Sequence, residues 1–280
     1  MLQVIISPAK QMHVRADAFA PRGIPPFPAK TLRLLHALRA IEREQGPDGL
    51  KTLWRVNDKL LDENIEHLHA FEPVMGEASL DDPAIARVVC PAAFSYIGIQ
   101  YRSMAPGVLD LDALEWLQQH LWILSGFYGC VRPFDAVQPY RLEMGARLQV
   151  DCARNLYGFW GSDIADAIAA PGFADGSGNV IVNLASVEYA KAVLPHLQSS
   201  VQVVTCLFGE ELRGGKPVQR ATASKIARGS MVRWMAEHRA ERIADLTRFD
   251  VGYAFAPELS TASGAFAEGD GAQTLIFMRS

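Results

Sequence analysis

The segment Gln138-Pro139-Tyr140-Arg141-Leu142-Glu143-Met144-Gly145 packs a phenol, a guanidinium and a carboxylate into four positions. Pro139 stops a helix, Gly145 permits a turn or a close backbone approach, and polar groups this dense need partners wherever they are buried. Ser7 and Lys10 follow a first apolar run, and Asn183 and Ser186 end a second, with Glu188 and Tyr189 just beyond. Strand ends are where α/β proteins gather functional groups. Lys10, Tyr140, Arg141, Glu143, Asn183 and Ser186 together offer a base, an anion clamp and hydrogen-bond donors. That is equipment for holding a nucleotide or a flipped base, and for acting on it. No nucleophile–base spacing selects one reaction, and the same residues also fit a polar network that braces strand ends.

A second chemistry is phosphate recognition. Apolar residues at 114, 117, 121 and 124 have helical spacing over 111–124 and run into Ser125-Gly126-Phe127-Tyr128-Gly129. A helix-hairpin-helix presents its hairpin N–H groups to phosphate, with glycines where a side chain would block the approach. Arg132 stands ready to add a charge-assisted contact. A helix ended by a glycine fits the same residues. From 213 to 248 there are nine cationic residues against three carboxylates, a local +6 in a chain of net charge −4. Lys225 and Arg228 are helical neighbours beside Gly229, with Ala227, Met231 and Trp234 on the opposite side. This strip suits a polyanion, or is a solvated basic face.

The elements that must position these groups follow from periodicity. The runs 2–6, 92–96, 179–184, 201–208 and 274–278 read as strands; 31–43, 50–56, 111–124, 163–170, 189–194 and 222–240 read as helices, with another starting at Asn57. A turn is expected at 175–178 and a small-residue loop over 256–271. Strands and helices mix without a strict βαβ rhythm, so the expectation is a mixed α/β fold in one compact domain over 1–280 rather than a doubly wound sheet. The 49% apolar and 21% charged residues are ordinary globular material. Cys90, Cys130, Cys152 and Cys206 stand singly, the seven histidines are scattered, and no spacing marks a metal site. No cofactor is expected. The start lacks a basic leader region and no run is long enough to cross a bilayer, which points to a cytoplasmic protein.

The ordered set Ser7-Pro8-Ala9-Lys10, Asn57-Asp58-Lys59-Leu60, Leu124-Ser125-Gly126-Phe127-Tyr128-Gly129, Gln138 to Gly145, Asn183-Leu184-Ala185-Ser186 and Lys225-Ile226-Ala227-Arg228-Gly229 resembles the YaaA peroxide-stress protein family. The resemblance implies that family's compact α/β fold. It also implies DNA binding through a helix-hairpin-helix element, placed here at Ser125, Gly126, Tyr128, Gly129 and Arg132 with Lys225 and Arg228 adding charge, and a role in limiting free iron and oxidative DNA damage. The chain departs from the family pattern at Gln11, His13, Ile97, Ile99, Val187 and Ile226, mostly where charge gives way to apolar groups or imidazole. These departures point to a specialised paralogue in which fold and a binding role carry over more safely than any chemistry. The rivals to DNA binding are an enzyme on a nucleobase, nucleotide or related small molecule and a plain partner-binding protein.

Overall fold

The computed structural model describes residues 2–15, 18–170, 180–260 and 273–280. Its centre is a seven-stranded sheet built from β1 (Leu2–Ile6), β2 (Leu121–Ser125), β3 (Gly129–Val131), β4 (Val180–Leu184), β5 (Gln202–Gly209), β6 (Tyr253–Phe255) and β7 (Gln273–Arg279). The strand order is β6-β7-β5-β4-β1-β2-β3. The five inner strands run parallel, and β3 and β6 close the edges antiparallel. Parallel strands are covered on both faces, which is why β1, β2 and β4 read as continuous apolar runs. All five residues of β1 and of β2 are buried.

The principal helices are α1 (Pro28–Trp54), α2 (Asp58–Ala70), α3 (Ile99–Met104), α4 (Leu111–His120) and α5 (Ala221–Glu237). The two helices expected over 31–56 are both present within α1, separated at Gly46, where the backbone leaves helical geometry (φ 67°, ψ −171°) just before Pro47. Asn57 caps α2, its side chain accepting the Leu60 N–H at 3.0 Å. The mixed α/β expectation holds, and one apolar cluster runs from Leu2 to Phe277. No helix among the described residues is long and apolar enough to cross a membrane.

Several expectations are corrected. The helix expected over 111–124 stops at His120, and Leu121–Ser125 enters the sheet as β2. The helix-hairpin-helix is therefore a β-hairpin: β2 turns through Gly126-Phe127-Tyr128 into β3, with Ile123 opposite Val131 and Ser125 opposite Gly129. The cause is burial on every side of Leu121-Trp122-Ile123-Leu124, which a one-faced helix cannot provide. The strand expected at 92–96 is a short helix, Ala92–Ser95; only Tyr96–Ile97 pairs, with Gln11–Met12. The helix expected at 189–194 lies earlier, at Val187–Ala190, and a single 3₁₀ turn at Leu194–His196 follows. The turn at 175–178 and residues 261–271 of the expected loop lie outside the described residues.

Candidate active site

β1 and β4 are neighbours, so the segments leaving their ends emerge side by side. Ser7, after β1, receives the Ser186 N–H on its hydroxyl at 2.8 Å and donates to the Ser186 hydroxyl at 3.2 Å. The Ser7 carbonyl accepts from Gln100 Nε2 and from the Tyr101 hydroxyl, each at 3.0 Å. This knot ties α3 to the two strand ends. Around it opens a cavity of about 660 Å³ whose walls include Ser7, Lys10, Tyr140, Arg141, Glu143, Ser186, Glu188, Lys225 and Arg228.

The 138–145 segment forms one wall because it crosses the β2–β3 turn at close range. A Cβ on Gly126 would lie 2.6 Å from the Leu142 carbonyl oxygen, so only glycine fits under that crossing. Arg141 is 9% exposed; it donates from Nη1 to the Lys10 carbonyl at 3.1 Å and from Nη2 to Glu143 Oε1 at 2.7 Å. Lys10 Nζ reaches the same Oε1 at 2.9 Å. Both cations thus share one carboxylate oxygen, and Glu143 Oε2 accepts no hydrogen bond among the described residues. Glu188 is arranged alike, with Oε1 accepting the Gly145 N–H at 2.8 Å. Two of the cavity's carboxylates are therefore each fixed through one oxygen.

Tyr140 is committed elsewhere. The Ser125 hydroxyl accepts the Phe127 and Tyr128 N–H groups at 3.1 and 2.9 Å. Its own proton must go to the Tyr140 oxygen at 2.7 Å, and the Tyr140 and Tyr96 hydroxyls share a further hydrogen bond at 3.1 Å. Burial pushes the Tyr140 hydroxyl up to about 12 and pushes Tyr101 and Tyr189 well above the usual range. All three line the cavity as neutral phenols, and Tyr140 offers its ring, stacked on Phe127 with centroids 5.0 Å apart, rather than a base.

The opposite wall is α5. Gly229 lets it pack on α3: a Cβ there would lie 2.0 Å from the Gln100 carbonyl oxygen. That contact sets Lys225 and Arg228 over the cavity.

The structure thus joins the two groups of residues that sequence kept apart. Lys10, Tyr140, Arg141, Glu143 and Ser186 share a cavity with Lys225 and Arg228. Asn183 does not line it; Asn183 braces the sheet, donating to Thr205 Oγ1 at 3.2 Å and accepting the Ala185 N–H at 3.0 Å. Ser125, Gly126, Tyr128 and Gly129 are buried in the hairpin. Arg132 lies over the Trp122 ring, 3.6 Å from its centroid, and donates to the Gln119 and Leu121 carbonyls at 3.0 and 3.4 Å. Burial lowers its pKa to about 10. The basic strip also shrinks. Arg213 and Arg220 pair with Glu211, Arg233 with Glu237, Arg239 with Asp112 and Arg242 with Asp245. Glu211 and Asp112 lie outside the counted window, which is why the charge excess was overstated.

Sequence reasoning missed Glu63 and His67, which line the cavity from α2. Their i, i+4 spacing was the available signal. Of the departures, Gln11, Ile97 and Ile99 line the cavity, and Val187 and Ile226 are exposed beside lining residues. His13 is held through its backbone, paired with Ser95. Among the described residues no cluster of three or more His, Cys, Asp or Glu side chains is placed to hold a metal ion.

Comparison with known proteins places this arrangement in context. A family model described as "Peroxide stress protein YaaA" matches residues 2–259. A UPF0246 protein of Limosilactobacillus fermentum is 42% identical over 262 residues, 93% of this chain and 96% of the relative. UPF0246 proteins of Pediococcus pentosaceus and Lactiplantibacillus plantarum are 38% and 39% identical over 262 and 263 residues, covering 93% and 94% of this chain and 95% and 97% of theirs.

Proposed function

The chain belongs to the YaaA peroxide-stress protein family, and from that premise we propose that it serves the stress response by binding, and acting on, a nucleobase- or nucleotide-like small molecule in the cavity between the strand ends and α5. The observation that carries this reading is convergence. Segments near residues 10, 100, 141, 187 and 226 meet at one cavity of about 660 Å³, a size typical of small-molecule sites. Neutral phenols give flat, partly apolar walls, and Glu143 and Glu188 each keep one oxygen for N–H or O–H groups of a ligand. Glu143 is the candidate for moving a proton, and Lys10 and Arg141 fix its position. Limiting free iron and oxidative DNA damage would then follow from that reaction.

The test is thermal stabilisation by a panel of nucleobases, nucleosides and nucleotides, since a ligand at 100 times its Kd stabilises by about 2.7 kcal/mol. A hit that Glu143→Gln abolishes supports the reading; a flat panel ends it.

DNA binding is the second reading, and the exposure of Lys225 at a cavity lip is what favours it. The hairpin backbone is not its phosphate site in this reading; an extruded nucleotide entering the cavity would be. It requires affinity for duplex or distorted DNA that falls steeply with salt and is lost in the Lys225→Glu, Arg228→Glu double variant. Full DNA affinity in that variant would rule it out.

A further inference from the structure

The α5 wall of the cavity carries charge without a counter-charge. Arg228 is half-buried, and its Nε is buried with no hydrogen-bond partner. Among the described residues neither Arg228 nor Lys225, one helical turn before it, forms an ion pair. The three carboxylates of the cavity do not supply one: Glu143 is taken by Lys10 and Arg141, Glu188 by the Gly145 N–H, and Glu63 joins neither cation. Removing a guanidinium from water without a partner is costly, and buried charges are as a rule paired. Burial pushes the pKa of Arg228 down, and no neighbouring carboxylate opposes it. The backbone of the position is also fixed. Gly229 locks α5 against the Gln100 carbonyl, so the helix cannot rotate Arg228 out to solvent without losing that packing.

We infer that Arg228 and Lys225 form a seat for a doubly charged oxyanion, the phosphate monoester of the cavity's ligand. Two uncompensated cations match a phosphate monoester, which carries about −1.5 to −2 at neutral pH, better than a carboxylate. A guanidinium with unused donors is suited to paired contacts with such a group. The inference rests on the small-molecule reading above and narrows it: the ligand is a nucleotide rather than a nucleoside or free base, with its phosphate on α5 and its hydrogen-bond donors toward Glu143 and Glu188.

The experiment is calorimetric and thermal titration of the full chain with inorganic phosphate, acetate, and matched nucleosides and nucleoside 5′-monophosphates, on the wild type, Arg228→Gln and Lys225→Gln. Phosphate and the monophosphates should stabilise the wild type, acetate much less. Arg228→Gln should weaken phosphate-bearing ligands by about tenfold or more, as expected for a lost charge-assisted contact, and Lys225→Gln by less. Without ligand, Arg228→Gln should melt no lower than the wild type, because the arginine has no partner to lose. Undiminished phosphate affinity in Arg228→Gln overturns the seat, and so does a markedly lowered melting temperature of that variant without ligand. Nucleosides binding as tightly as their monophosphates overturns the seat while leaving the small-molecule reading intact. A wild type indifferent to every compound overturns both.

Discussion

Arg141, Glu143 and Lys10 show how three charges at one spot differ in weight. Arg141 is buried, Glu143 is 30% exposed at its side chain and Lys10 is 66% exposed. An exposed lysine contributes little to such a pair, so Lys10→Ala should change stability by less than about 1 kcal/mol. Glu143→Ala leaves the Arg141 guanidinium buried with only a carbonyl partner and should cost about 3 kcal/mol. Urea denaturation of the two variants checks the order; equal losses would mean that the buried guanidinium does not depend on Glu143. Asp135 makes a second prediction. Burial pushes its carboxyl up to about 7, while it accepts the Arg132 N–H at 2.7 Å. A carboxyl whose folded pKa lies above its unfolded value near 3.9 favours the folded state at low pH, and this contribution is lost as pH rises through about 7. Asp135→Asn keeps an acceptor and removes the titration. Relative to the wild type it should therefore gain stability between pH 5 and pH 8, which melting curves at the two pH values would show. A difference that stays constant across that range would contradict the argument.

At the scale of elements, two glycines decide where the site's walls stand. A Cβ on Gly229 meets the Gln100 carbonyl at 2.0 Å, and one on Gly126 meets the Leu142 carbonyl at 2.6 Å. Both obstacles are backbone, so neither can swing aside. Gly229→Ala and Gly126→Ala should each destabilise by about 1–3 kcal/mol, and each should weaken ligand response by displacing one wall. Gly76→Ala, where nothing lies within 4 Å, is the control that should do neither. Elements are also where the sequence was least legible. The spacing of Leu114, Leu117, Leu121 and Leu124 satisfies a helix, and only burial on both faces of 121–125 makes the second half a strand. A continuous apolar run carries no periodicity to separate the two. The polar residues of the site were legible by type, since phenol, guanidinium and carboxylate beside a proline and a glycine have few bland uses. Their convergence with Lys225 and Arg228 was not, because it depends on α5 packing against α3 across more than a hundred residues. Asn183 misled for the complementary reason: a strand-end position fits bracing as well as binding, and its bonds to Thr205 and Ala185 choose bracing.

At the scale of the whole molecule, the sheet draws its centre from the chain's far parts. β1 lies between β2 and β4, while β5 and β7 add strands from beyond residue 200. Cutting the chain between 170 and 180 would strip β1 of one neighbour and leave β4 with an open edge, so neither half should fold alone; circular dichroism of the two fragments, separate and mixed, tests this. Two independently folded fragments would show that 1–280 is not one cooperative unit. The same strand order has a consequence in time. β1 is made first, yet its partner β4 begins at Val180, and at a synthesis rate of roughly 5–20 residues per second that partner arrives on the order of ten to thirty seconds later. Until then β1, whose one polar residue is Gln3, has only β2 beside it from Leu121 onward, so one edge of a buried strand stays unpaired and the nascent chain should be a client for ribosome-bound holdases.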